Sequence, residues 1–89
     1  MTLSIVPFDP AALVAARGDK YGDPVDGMRR IAARWSITLG IAVTPMQVCQ
    51  CMIDLKQARL DLLPDYADGP ADIAGYAEIM RLLQAEMSS

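Results

Sequence analysis

Three ionisable residues stand where an apolar pattern predicts none: Lys56, Arg59 and Asp72. The stretch PMQVCQCMIDLKQARLDLL, from Pro45 to Leu63, reads as a helix of about five turns at 3.6 residues per turn. On a helical wheel Gln47, Gln50, Asp54, Gln57 and Asp61 share one face, which is the wet one. The opposite face holds Val48, Met52, Leu55 and Leu63, with Lys56 and Arg59 near its centre by the step of about 100° per residue. Asp72 falls near the edge of the inner face of the following helix. A charge left unpaired in an interior costs several kcal/mol, so Asp72 is expected beside Arg59 or Lys56. Two cations then face one carboxylate, unless Asp19, Asp23 or Asp68 folds in. Surplus positive charge in a recess suits a phosphate or a carboxylate. The alternative is an ion pair that only holds two helices together.

Four helices are predicted to position these groups. Asp9 and Pro10 open the first, as N-cap and first helical residue, and AALVAAR propagates it as far as Gly18. GDKYGDP, from Gly18 to Pro24, reads as a turn-rich loop that either merely joins two helices or, by its composition, suits a ligand. Asp23 and Pro24 open the second helix, which Gly40 closes. Its inner face holds Val25, Met28, Ile31, Ala32, Trp35 and Leu39, while Arg30, Arg34 and Ile37 face outward. Thr44 caps the third helix at Pro45. Pro64 to Pro70 forms an acidic loop. The fourth helix turns Ile73, Tyr76, Ile79, Met80 and Leu83 inward, and Gly75 implies close approach of another helix, since glycine otherwise costs a helix about 1 kcal/mol. The expected fold is all-α, a small bundle of about four helices in one domain, 1–89, with 1–8 and 87–89 flexible.

At 89 residues with 53% hydrophobic side chains, the chain has more apolar surface than so short a domain can bury. A homo-oligomer, most simply a two-fold dimer joined through the second or fourth helix, is the expected outlet. The net charge of −3 disfavours a partner such as duplex DNA or RNA. No run approaches the roughly 18 apolar residues of a membrane span, and the first residues lack the basic start of a signal peptide, so a cytoplasmic protein is expected. Cys49 and Cys51 point about 160° apart on a helix, too divergent to share a disulfide or a metal.

Catalytic chemistry has little to stand on. There is no histidine, no glycine-rich phosphate loop and no base beside a nucleophile. Metal-assisted hydrolysis needs converging carboxylates. Here Asp23 with Asp26 and Asp65 with Asp68 are explained as caps and turn formers. No cofactor is implied.

Several spaced motifs do resemble a family. Asp19-Lys20-Tyr21-Gly22-Asp23-Pro24, Ile31-Ala32, Trp35, Leu39-Gly40, Lys56 with Ala58-Arg59, and Asp72-Ile73-Ala74-Gly75-Tyr76-Ala77 resemble a small all-α domain of phages and prophages over about 18–77. More distantly the chain is similar to nucleotide-modification-associated phage domains and to all-α nucleotide pyrophosphohydrolases. It lacks the Glu-x-x-Glu and Glu-x-x-Asp metal pairs of the latter, and it has Gly69-Pro70 where the phage family usually has a serine. The resemblance implies that Lys20 and Tyr21 lie beside Lys56 and Arg59. The cations would grip phosphate, Asp72 would orient Arg59, and Tyr21 or Tyr76 would cover a base.

The leading expectation is thus a binding module for a nucleotide-like anion, with Lys20, Tyr21, Lys56, Arg59, Asp72 and Tyr76 as its site. Sequestration of a host defence signalling nucleotide is the use it suggests. The alternatives are a reduced pyrophosphohydrolase using Asp54, Asp72 or Glu78, and an interaction protein with no small ligand.

Overall fold

The computed structural model describes residues 9–87, with the backbone alone at 19–21. The apolar start of the chain, its last two residues and the side chains of Lys20 and Tyr21 lie outside the described residues. Four α-helices follow in order: α1 (Pro10–Tyr21), α2 (Pro24–Leu39), α3 (Pro45–Leu62) and α4 (Asp68–Met87). Among the described residues there is no strand, and the fold is an all-α bundle. α4 packs against each of the other three, most extensively α3, while α1 touches α2 and α4.

The starts of the first three helices follow directly from their capping residues. Asp9 accepts a hydrogen bond from the Ala11 N–H at 3.0 Å. The Asp23 carboxylate accepts from the Val25 N–H at 2.8 Å and from that of Asp26 at 3.3 Å. Thr44 and Gln47 form a reciprocal box. Thr44 Oγ1 accepts from the Gln47 N–H at 3.1 Å, and Gln47 Oε1 accepts from the Thr44 N–H at 2.9 Å. Two otherwise orphaned donors are thereby satisfied. Thr44→Ala should lower the unfolding free energy by about 1 kcal/mol, read by urea denaturation; an unchanged midpoint would show the box to be idle.

The first helix runs past its expected stop. Gly18 stays helical, and it is Gly22, at φ 87°, that ends α1 with its N–H donating to the Gly18 carbonyl at 2.8 Å. The backbone at 19–21 is therefore helical, and only Gly22 and Asp23 separate α1 from α2. A left-handed residue is what stops a helix, and glycine takes that conformation without penalty. Both Gly18 and Gly22 offered it, and the chain uses the second. Gly40, at φ 70°, closes α2 as expected. Beyond it the Ser36 hydroxyl donates to the Ala32 carbonyl at 2.7 Å and accepts from the Val43 N–H at 2.8 Å, which turns the chain into α3. α4 starts at Asp68, ahead of the expected end of the acidic loop. Pro70 fits its first turn, where a missing N–H costs nothing.

The core gathers Val14, Val25, Cys49, Ile79 and Leu83, with Met28, Met46, Tyr76, Met80 and Leu82 packed around them. Cys49 is fully enclosed and Cys51 exposed; both are free. Burial pushes the Cys49 thiol pKa up, so it remains protonated and behaves as a small hydrophobe. Two glycines permit close helix contacts. A Cβ on Gly75 would lie 3.3 Å from Leu13 Cδ2 on α1, and one on Gly69 would lie 2.9 Å from Leu60 on α3.

The inner face of α3 is rotated from its expected position. Val48 and Cys49 are buried, and Met52, Ile53, Lys56 and Leu60 half-buried, whereas Leu55 and Leu63 are exposed. All five wet-face residues, Gln47, Gln50, Asp54, Gln57 and Asp61, are solvated as expected. On α2, Ile37 is exposed as expected, but so is Leu39, in the last turn.

Candidate functional site

Asp72 lies in the first turns of α4 and is 6% exposed. Its two carboxylate oxygens are taken by cations from two different helices. Arg17 Nη2, from α1, donates to Oδ1 at 2.7 Å, and Lys56 Nζ, from α3, lies 3.0 Å from Oδ2. Burial works against the charged form of Asp72, but the hydrogen bonds from Arg17 and Lys56 outweigh it and hold the carboxyl below its usual pKa. The hydrogen bond to Asp72 raises the Lys56 pKa against the opposing effect of desolvation. The trio is ionised at neutral pH and joins α1, α3 and α4 at one point.

Lys56 and Asp72 thus meet as expected, but Arg59 does not join them. It is exposed, with its guanidinium carbon 5.9 Å from the centre of the Tyr66 ring and Nη1 3.4 Å from the Tyr66 hydroxyl. With Lys56 and Leu60 directed at the bundle, the helical step carries Arg59 to its edge. Asp72 therefore does not orient Arg59, and the arginine it holds is Arg17. The signal for Arg17 was its spacing: it follows the buried Val14 by three residues and so continues the inner stripe of α1.

Asp72 and Arg17 form part of the wall of a cleft of about 360 Å³ between α1, α2 and α4. Leu13, Val14, Met28, Ile31 and Ile79 make most of that wall apolar, and Tyr76 lies on the same side as Asp72. Arg30, exposed on α2, reaches the rim and makes no ion pair among the described residues. The Asp23 carboxylate is also at the rim, occupied in capping α2. The volume falls within the range of small-molecule sites, and a few polar groups on an apolar wall is their usual make-up.

A family model described as a domain of unknown function, DUF6378, matches residues 10–84, a span that takes in nearly all of the four helices. The chain belongs to the DUF6378 family. A relative of this DUF6378 chain is the Gene 55 protein of Mycobacterium phage L5, 34% identical over 83 residues. The match takes in 92% of the chain and 53% of that protein, so the chain spans about half the length of the curated relative. The phage-type family expected from the spaced motifs is therefore the right one. No solved structure matches the chain.

The carboxylates named for hydrolysis have separate surroundings in this DUF6378 domain. Asp54 is solvated on the outer face of α3, Asp72 is held by two cations, and Glu78 is bound by Arg81 at 2.6 Å. Among the described residues no three His, Cys, Asp or Glu side chains converge as a metal site would require, and no helix is long and apolar enough to cross a membrane.

Proposed function

We propose that this phage-type domain binds a small anion with a flat apolar body, of the nucleotide class, in the cleft between α1, α2 and α4, and holds it without transforming it. The supporting observation is the joining of an apolar wall, an aromatic ring and a cationic rim in one recess of suitable size. The base would lie against Leu13, Ile31 and Tyr76, where stacking contributes about 1–3 kcal/mol per base in other proteins. The phosphate would take charge-assisted hydrogen bonds from Arg30. The Asp72 carboxylate in the wall would repel it, were that charge not already offset by Arg17 and Lys56. Held this way, a signalling nucleotide would be withdrawn from the cytoplasm of a phage-infected cell.

Titration calorimetry of the chain against linear and cyclic mono- and dinucleotides tests the reading. Binding of at least one member is expected, and Arg30→Ala should weaken it at least tenfold, about 1.4 kcal/mol, with an unchanged melting temperature. A second reading has an observation of its own. Among the described residues no buried polar side-chain atom lacks a hydrogen-bond partner, as befits an interaction module whose ion pairs only clamp helices. Failure of every nucleotide to bind at millimolar concentration would leave that reading in place.

A further inference from the structure

The outer surface of α3 carries a second apolar stripe that none of the described residues covers. Cys51, Leu55, Ala58 and Leu62 follow one another at steps of four, three and four residues, and all four are exposed. Leu62 is 80% exposed and Leu55 41%. This spacing is the alternating pattern by which one helix packs along another in a coiled coil, where apolar positions recur every 3.5 residues on average. The stripe is flanked by Asp54 on one side and Arg59 on the other. Neither makes an ion pair among the described residues, and the one polar contact of Arg59 is to a tyrosine hydroxyl.

We infer that this stripe is a docking surface for a second copy of the chain, with the two α3 helices side by side and parallel about a two-fold axis. The flanking charges choose both the partner and the direction. In a parallel pair, the residue before one apolar position lies near the residue five places further along the other helix. That brings Asp54 of each copy towards Arg59 of the other, so both charges find opposites twice over. An antiparallel pair in register with the stripe would instead set Asp54 near Asp61 of the other copy, two like charges. A second copy therefore fits the stripe in charge as well as in polarity, and the inference does not depend on a ligand in the cleft. It also moves the expected interface from the second or fourth helix to α3.

Sedimentation equilibrium should give a dimer that Leu55→Glu, at a solvated site, converts to a monomer with unchanged circular dichroism. Asp54→Arg should weaken dimerisation at least tenfold by opposing Arg59 of the other copy, and Asp54→Arg combined with Arg59→Asp should restore it. The parallel direction has its own readout, because it sets Cys51 of one copy opposite Cys51 of the other. Diamide, which accepts the two electrons and two protons released as the S–S bond forms, should yield a covalent dimer that Cys51→Ser abolishes. A monomer at high micromolar concentration overturns the inference, as does a dimer that survives Leu55→Glu. A dimer with no Cys51 cross-link overturns the parallel arrangement.

Discussion

Asp72→Ala is expected to lower the unfolding free energy by about 3 kcal/mol at neutral pH. The substitution strands Lys56, whose side chain is 12% exposed, and loss of one partner of an enclosed ion pair costs about 3–5 kcal/mol. Arg17 remains 48% exposed and recovers water, which puts the effect at the lower end. Arg17→Ala should accordingly cost about 1 kcal/mol or less. The pH dependence carries the same signature. The Asp72 pKa is depressed by folding, so its contribution is complete above the unfolded value of about 3.9 and is lost as pH falls through the folded one. The Lys56 pKa is raised, so its contribution is complete below about 10.4 and is lost as pH rises through the folded value. Urea denaturation across pH should show a plateau between those limits in the parent and a flatter profile in Asp72→Ala. A variant within about 0.5 kcal/mol of the parent at pH 7, the scatter of ordinary surface changes, would show that the trio does not hold the helices.

Gly69→Ala is expected to destabilise the fold by about 1–2 kcal/mol, while Gly75→Ala should be close to neutral. Each exchange gains up to about 1 kcal/mol of helix propensity, less in the first turn where Gly69 sits. What differs is the neighbour. At Gly69 a Cβ meets the branch of Leu60 at 2.9 Å, both Cγ and Cδ2, so the whole side chain must move. Such overpacking costs about 1–3 kcal/mol. At Gly75 it meets a single methyl of Leu13 at 3.3 Å, which can yield by a few tenths of an ångström. Thermal melts of the two variants should separate in that order. Pairing Gly69→Ala with Leu60→Ala should cost less than the sum of the two changes, because they share one space. Equal melting temperatures for the two glycine variants would contradict the close α3–α4 contact.

The helix starts were legible because capping is local: Asp9, Asp23 and Thr44 each announce a helix within three residues of themselves. The inner face of α4 was legible because its apolar residues occupy one side. α3 was harder. It has apolar residues on two sides, the buried stripe through Cys49, Ile53 and Leu60 and the exposed one through Leu55 and Leu62. A wheel that seeks one stripe averages the two, which left Lys56 correctly inside but carried Arg59 in with it. Arg17 was lost for a different reason. Its partner is 55 residues away, and no local pattern names a partner at that distance.

That separation makes the cleft depend on a contact between distant parts of the chain. α1 supplies Leu13, Val14 and Arg17 to the cleft, so the recess exists only while α1 is seated. Seating it closes a long chain segment, at an entropic cost that rises only slowly with length, and Arg17 is the latch at the far end. Any molecule that occupies the cleft then senses only the seated fraction of the population, and its apparent affinity falls with that fraction. The relation is reciprocal. Whatever fills the recess also fastens the first helix, and whatever loosens that helix weakens binding in the recess by the same factor.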